Sequence, residues 1–184
     1  MISHPLQKVI YPYKLAASGG EMAGDVALDQ FHRLSGYLLD TDGKVEAKLE
    51  FGETEKGMPL VTGHIRAVVR RECVNCAHAV EEKIDFIPQI VIVKSEDEAS
   101  ELDESLDPVI LTDEKIGLVD LIEDEIILAL PILARHPEGQ CDPSYYAWKA
   151  QQESQLKNAG VGKKENPFSV LAKLKQSKSE DTDH

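Results

Sequence analysis

Apolar and charged residues alternate most regularly in the middle of the chain. Over Val45–Phe51 every second residue is apolar and the residues between are charged, which is the period of a strand with one face on a core. Further strands are predicted over Leu60–Arg71, with a bulge or a bend where the alternation slips near Val68-Val69, and over Val80–Val93. The last two strands flank a Cys-Val-Asn-Cys turn, so they are predicted to form an antiparallel hairpin.

The apolar residues take a helical period further along. Over Asp120–Leu130 they recur every three or four positions while acids occupy another face, which predicts the main amphipathic helix. Asp120 and Glu123 have the spacing of a capping box at its start. Shorter helices are predicted over Leu28–Leu38 and Tyr145–Leu156.

The remaining segments are irregular or short. The N-terminal stretch up to Tyr13 is predicted to be extended, Glu96–Asp107 to be a solvated loop, and Pro108–Leu111 to be an edge strand. Asn166–Lys175 opens with an N-cap Asn followed by Pro, which predicts a short helix. Its apolar stripe would contact either its own domain or a groove on a partner; the residues of that stripe are Phe168, Leu171 and Leu174.

Together these elements predict an α+β fold: an antiparallel β-sheet with one main amphipathic helix packed on it and a helical C-terminal tail. The chain has 184 residues, of which 42% are hydrophobic and only 5% aromatic, so one core built mainly from Val, Ile and Leu is expected. We assign residues 1–148 to the domain and residues 149–184 to the tail.

All three cysteines lie in two short motifs. Cys73 and Cys76 form the hairpin turn, and Cys141 follows His136 after the main helix. A turn with two such sulfurs can hold one ion, and Zn²⁺ binds four Cys or His ligands at ~2.0–2.3 Å. The pattern predicts a structural zinc site of these four residues, with His78 as a competing fourth ligand.

Two other interpretations of the cysteines stay open. They can be reduced thiols with no metal, or a redox pair, although redox Cys-x-x-Cys motifs usually open a helix in a βαβ unit rather than end a strand. A closed four-ligand zinc site has no open position for water or substrate, so it would be structural and not catalytic.

Charge is concentrated in one segment. The net charge is −13, and residues 96–125 contain thirteen acidic side chains and one lysine. Binding of nucleic acid usually needs clustered Lys and Arg, whereas an acidic surface suits a basic protein; the segment can also be a solubilising loop. On the second strand, Arg66 and Arg70 share a face, either as a phosphate-binding patch or as a solvated face paired with glutamates.

The sequence gives little support for an enzyme or a membrane protein. It contains no G-x-S-x-G, P-loop, G-x-G-x-x-G or H-E-x-x-H motif, so neither catalytic residues nor a small-molecule substrate is expected. No apolar run approaches the ~20 residues of a membrane span, and the first residues do not resemble a signal peptide. Three cysteines without a secretory signal point to the cytoplasm.

Three stretches in order carry a resemblance to a known family. They are Cys73–Cys76, Val119–Pro131 continuing through His136 and Cys141, and Asn166–Lys175. Together they resemble the bacterial large ribosomal RNA subunit accumulation protein family, a YceD-like domain of unknown function. The resemblance covers about residues 5 to 176. The family commonly has arginine just before the second cysteine, where this sequence has Asn75.

The resemblance implies a function in large ribosomal subunit biogenesis. It implies a non-catalytic factor that affects the synthesis, processing or stability of 23S rRNA, through the rRNA itself or through a basic ribosomal protein. In that setting the acidic segment would mimic RNA and hold the basic protein before assembly. The alternative is a metal-dependent RNA-processing enzyme.

Overall fold

The alternating stretches of the sequence become strands. The computed structural model describes residues 3–4 and 6–158 of the chain. The strands of these residues are, in chain order, β1 (Ser3–His4), β2 (Val9–Ile10), β3 (Glu21–Ala27), β4 (Lys44–Glu53), β5 (Pro59–Glu72), β6 (Ala79–Phe86), β7 (Gln89–Val93), β8 (Asp107–Ile110) and β9 (Ile116–Gly117). The helices are α1 (Pro12–Ser18), α2 (Glu96–Ser100), α3 (Leu118–Ala129) and α4 (Pro143–Asn158), with 3₁₀ turns at Leu28–Gln30 and Leu34–Tyr37.

In this described part of the chain, seven strands form one sheet. Its order is β1-β3-β4-β5-β7-β8, with β6 also paired to β5, while β2 and β9 form a separate antiparallel pair. The pairs are antiparallel except β1 with β3 and β7 with β8. The single strand predicted over Val80–Val93 is therefore wrong, because β6 and β7 pair with successive parts of β5. Pro88 lies between them, and proline cannot donate a ladder hydrogen bond.

Strands β4 and β5 supply the centre of the core. Their alternate residues are buried and face the same cluster; they are Val45, Ala47, Leu49, Phe51, Val61, Ile65, Ala67 and Val69. The predicted bulge at Val68-Val69 is wrong, since the pairing of β5 with β6 runs through both residues without a break. Val68 simply faces outward and is 48% exposed.

Helix α3 packs on this core, as predicted, through Leu118, Leu121, Ile122 and Ile126. The predicted capping box is wrong, because the N-cap residue is Gly117 and no side chain caps the helix. The reason is that Glu123, the predicted cap glutamate, binds a different segment of the chain.

Glu123 is 3% exposed and faces a 3₁₀ turn distant in sequence instead of its own helix start. Its carboxylate accepts hydrogen bonds from the backbone N–H groups of Arg33 and Leu34 at 2.6 and 3.0 Å, and from Arg33 Nε at 2.8 Å. Burial raises the pKa of Glu123, but these donors outweigh it and lower the pKa below its ordinary value. The contact joins α3 to the segment between β3 and β4.

Two local predictions are corrected in the first half of the chain, and one strand was missed. The N-terminal stretch is not extended to Tyr13, because α1 begins at Pro12, where a fixed φ suits the first helical position. The helix predicted over Leu28–Leu38 is present only as two 3₁₀ turns. Strand β3 was not predicted, since its sequence has no clear alternation.

The acidic segment is more ordered than the predicted loop. Ser95 caps α2 by accepting a hydrogen bond from the backbone N–H of Glu98 at 3.3 Å. The acids in the first turn of this helix favour it through the helix dipole. The edge strand predicted after this segment is present as β8, parallel to β7.

The chain divides into two compact units after Gln140. Within Cys141–His184, the described part is essentially α4, which matches the polar helix predicted over Tyr145–Leu156 and leaves Trp148 57% exposed. The predicted domain boundary at residue 148 stays a prediction. The predicted helix over Asn166–Lys175 lies outside the described residues. No helix among those described combines the length and apolarity needed to span a membrane.

Candidate metal centre

The Cys-x-x-Cys motif forms the turn between β5 and β6, as the sequence predicted. The ladder of the two strands ends at the pair Glu72 and Ala79. In the turn, the N–H of Cys73 donates to the carbonyl of His78 at 2.9 Å, and the N–H of Ala77 donates to the carbonyl of Cys73 at 2.8 Å. Ala77 has φ of 58°, a left-handed conformation that lets the chain reverse sharply. This tight reversal suits two sulfurs that converge on one point.

The segment after α3 is held against this turn by backbone hydrogen bonding. The N–H of Val74 donates to the carbonyl of Ala134 at 3.0 Å. That contact places His136, two residues later, beside the turn. Nε2 of His136 lies 3.0 Å from the carbonyl oxygen of Ala79, and Nδ1 lies 3.4 Å from Sγ of Cys76.

The contact with Ala79 decides which nitrogen of His136 can bind a metal. A carbonyl oxygen only accepts hydrogen bonds, so Nε2 carries a proton, and in the neutral ring Nδ1 then holds the lone pair. Metal-bound histidines typically donate their second nitrogen to such an oxygen, which orients the ring. The His136 ring is therefore arranged as a ligand through Nδ1, directed at the sulfurs.

The four residues predicted from spacing are brought together. One ligand atom from each of Cys73, Cys76, His136 and Cys141 lies within 4.8 Å of all the others. Zinc–sulfur bonds of ~2.3 Å in a tetrahedron put the sulfurs about 3.8 Å apart, so a small contraction would suffice. Cys73 and Cys141 are buried, the other two are half-buried, and none is in a disulfide. Whether the group binds zinc stays a prediction.

His78, the competing fourth ligand, is not part of this group. Its Nδ1 lies 2.9 Å from the carbonyl oxygen of Cys76, to which it donates. The nitrogen nearest the turn is thus protonated and directed at the backbone. Sequence spacing could not separate the two histidines, because the contact between Val74 and Ala134 that selects His136 is between residues far apart in the chain.

The surroundings favour the charged form of the first cysteine. Burial raises the pKa of the Cys73 thiol, but the backbone N–H groups of His136, Asn75 and Cys76 outweigh it and lower the pKa to about 6. The pKa of His136 is raised, chiefly by its hydrogen bond with Cys73. A thiolate is the form of cysteine that binds metals, so the turn is prepared for a cation.

A second contact that the sequence did not predict holds the same segment in place. Nη1 of Arg71 donates to Glu82 at 3.0 Å and to the carbonyl of Pro131 at 2.7 Å. The side chains of Arg71 and Glu82 are only 13% and 11% exposed. The sequence indicates this pair only as two opposite charges on neighbouring strands of a hairpin. The third partner, the carbonyl of Pro131, lies 60 residues after Arg71.

The predicted partner-binding residues are placed differently. Arg66 lies 3.3 Å from Asp85, and Arg70 lies 2.9 Å from Asp40, all on the solvent side of the sheet. Both arginines are therefore engaged by acids of their own domain, which is the solvated-face interpretation; binding of a partner there stays a prediction. Phe168, Leu171 and Leu174 lie outside the described residues.

Comparison with known proteins identifies the family. The family model described as "Large ribosomal RNA subunit accumulation protein YceD" matches residues 61–175, which is more than half of the chain. A protein of the same name from Haemophilus influenzae is 27% identical over 172 residues, which cover 93% of this chain and 97% of that protein. No solved structure matches. The matched region contains the Cys-x-x-Cys turn, α3 and the segment with His136 and Cys141, and this chain belongs to the large ribosomal RNA subunit accumulation protein family.

Proposed function

We propose that this protein is a non-catalytic factor for the accumulation of 23S rRNA, acting in the cytoplasm through a basic protein of the large ribosomal subunit. The observation that carries the role in rRNA accumulation is the family match over residues 61–175. The relative from Haemophilus influenzae has that role in its name. The choice of a basic protein as the partner rests on charge.

Two observations on charge support a protein partner over naked rRNA. Most acids of the segment 96–125 are exposed; they are Glu96, Asp97, Glu101, Asp103, Glu104, Asp107, Asp113, Glu114, Asp120 and Asp124. The candidate phosphate-binding arginines, Arg66 and Arg70, are already paired with aspartates. Phosphate groups would be repelled by the first surface and would compete with carboxylates at the second, whereas a basic protein is attracted to the acidic surface.

The test is complementation of a deletion strain, with the ratio of 23S to 16S rRNA as the readout. The wild-type chain should restore the ratio. A variant in which Glu96, Asp97, Asp103 and Glu104 become amides should not, whereas a control with Glu53, Glu55 and Glu153 replaced by Gln should. If deletion leaves the ratio unchanged, the proposed function is wrong; if both variants complement, the acidic surface is not the binding site.

The second candidate function is a metal-dependent RNA-processing enzyme. The observation that favours it is the group of Cys73, Cys76, His136 and Cys141, called the Cys/His group below. A group of four protein ligands has no free position for a reacting water, which favours a structural site. Purified protein with added zinc should leave precursor rRNA intact over hours. Cleavage that needs the metal and is lost in Cys73→Ser would establish the enzyme instead.

The cofactor in this proposal is structural zinc held by Cys73, Cys76, His136 and Cys141. It is supported by the donor set, by ligand atoms within 4.8 Å of one another and by the orientation of His136. Protein purified without chelators should contain one equivalent of zinc per chain, and Cys73→Ser and Cys141→Ser should contain little. Wild-type protein free of zinc after growth in zinc-supplemented medium would refute the site.

A further inference from the structure

A cleft lined by none of the four residues of the Cys/His group has no part in the function described so far. Its volume is about 510 Å³. It is lined by residues of the α1 region, by the residue after β7 and by the segment that follows β8; they are Tyr11, Tyr13, Lys14, Lys94, Leu111, Thr112, Asp113 and Glu114. Two aromatic rings, two cations and two anions therefore meet in one concave surface.

Both aromatic rings already have a cation over their faces. Nζ of Lys14 lies 4.7 Å from the centroid of the Tyr11 ring, and Nζ of Lys94 lies 5.3 Å from that of Tyr13. Both distances are within the ~6 Å range of cation–π attraction. Tyr11 is 42% exposed, so its ring is open to a molecule from solution. The ring faces of this cleft are thus sites where positive charge is stabilised.

The carboxylates of the cleft are available to a further cation. Asp113 and Glu114 are exposed, and within residues 3–4 and 6–158 neither forms an ion pair. Beyond the lining residues, the acids of α2 begin two positions after Lys94. Burial raises the pKa of Tyr13, and the negative charge of Glu98 on α2 raises it further.

We propose that this cleft binds an arginine side chain of a basic peptide segment, with the guanidinium on the tyrosine rings in place of a lysine ammonium and paired with Asp113 and Glu114. A guanidinium is planar, weakly hydrated and suited to both stacking and carboxylate pairing. The lysine ammonium it displaces is strongly hydrated and returns readily to water. The proposal rests on the proposed function and names where the basic partner is held.

A fluorescent arginine-glycine peptide, measured by anisotropy with the full chain, tests this site. Tyr11→Leu with Tyr13→Leu should weaken binding about tenfold, since two cation–π contacts are lost. Asp113→Asn with Glu114→Gln should weaken it about fivefold, as expected for two charge-assisted contacts. A peptide with lysine at each arginine should bind several-fold more weakly than the arginine peptide.

The two lysines give the sharper test, because the variant needs no loss of packing. Lys14→Ala with Lys94→Ala should strengthen peptide binding about threefold, since it removes both competing ammonium groups from the rings. Lys44→Ala with Lys48→Ala, on the outer face of the sheet, changes the net charge equally and should have a smaller effect. Equal strengthening by both pairs, or weakening by the first, would overturn the proposal.

The same variants separate this site from other outcomes. If Lys14→Ala with Lys94→Ala abolishes binding of a single-stranded oligouridylate while the arginine peptide does not bind, the cleft is a nucleic-acid site and the proposal is wrong. If the tyrosine variant binds the peptide normally yet deletion of the gene still lowers the ratio of 23S to 16S rRNA, the proposed arginine site is wrong and the proposed function stands. If deletion has no effect, the function fails whatever the peptide does.

Discussion

Strand β5 carries chemically active side chains of two kinds, and their surroundings differ. On its outer face, Arg66 pairs with exposed Asp85 and Arg70 pairs with half-buried Asp40. At its end, Arg71 and Cys73 are largely shielded from solvent and meet residues from beyond α3. The outer pairs are weak because water screens them. The end of the strand is where distant segments converge, and there a single side chain can determine whether the segments stay together.

The largest difference in stability between the two regions should come from His136, the histidine of the proposed zinc site. In zinc-containing protein, His136→Asn should lower the free energy of unfolding by about 3 kcal/mol or more, because metal-binding energy is also folding energy. His78→Asn, the same substitution at the histidine of the adjacent β5–β6 turn, should lower it by less than about 0.5 kcal/mol. Urea unfolding with and without EDTA measures both. Equal effects of the two variants, or no effect of EDTA on the wild type, would contradict this difference.

The next effect concerns the shielded arginine. Arg71→Met should cost about 2 kcal/mol, because Glu82 and the carbonyl of Pro131 lose their donor in a site with little water. Arg71→Met with Glu82→Leu should recover part of this loss, since no charge is then left without its partner. Chemical denaturation of the single and double variants measures both free energies of unfolding. A loss as small as that of Arg66→Ala would show that the pair behaves as a surface ion pair.

Two glutamates of α3 should make the stability of the protein depend on pH in opposite ways. Glu123 is buried with donors, whereas burial and the charges of Asp107 and Asp124 raise the pKa of Glu125 to about 7. The folded pKa of Glu125 exceeds the unfolded value, so the folded state binds more protons and the stability that this group contributes is lost as pH rises from about 4.5 to 7. Glu125→Gln should therefore stabilise the protein by about 1–2 kcal/mol at pH 8 and change little at pH 4.5.

Glu123→Gln should change the stability at pH 8 in the opposite direction to Glu125→Gln. Its folded pKa is lowered, so its contribution is present at neutral pH and is lost on acidification. The variant should therefore be destabilised at pH 8. Denaturation curves at both pH values compare the two substitutions on one helix. Destabilisation of Glu125→Gln at pH 8 would mean that its carboxylate is stabilised by the fold after all.

The smallest effect should come from the outer face of β5. Arg66→Ala and Arg70→Ala should each change the free energy of unfolding by less than about 0.5 kcal/mol, and added salt should reduce that change further. Denaturation in low and high salt measures it. A loss of more than about 1 kcal/mol in the free energy of unfolding that persists in high salt would contradict this. It would mean that Arg66 and Arg70 stabilise the fold as strongly as Arg71 does.

The same contrast explains which features could be predicted from sequence. The strand Val45–Phe51 and the helix α3 were predicted because burial on one face leaves a period in the residues themselves. The four Cys and His residues were predicted as a set because metal ligands are a small class with known spacing. These signals are local, or belong to a few residue types.

Features that depend on a distant partner were missed. Glu123 has the spacing of a capping box, but Arg33 and Leu34, about ninety positions away, bind it instead. The bond from Arg71 to the carbonyl of Pro131 leaves no trace in the sequence, because any residue supplies a carbonyl. Helix α1 was missed because Pro12 limits a strand and also begins a helix.

The separation of the ligands along the chain has a consequence for synthesis. Cys76 and His136 are 60 residues apart, which at ~5–20 residues per second means that the turn is made roughly 3–12 s before its histidine. During that interval the nascent chain carries two thiols and lacks both His136 and Cys141. A product released before Cys141 lacks at least one of the four residues. The four residues are therefore all present only after translation has passed Cys141.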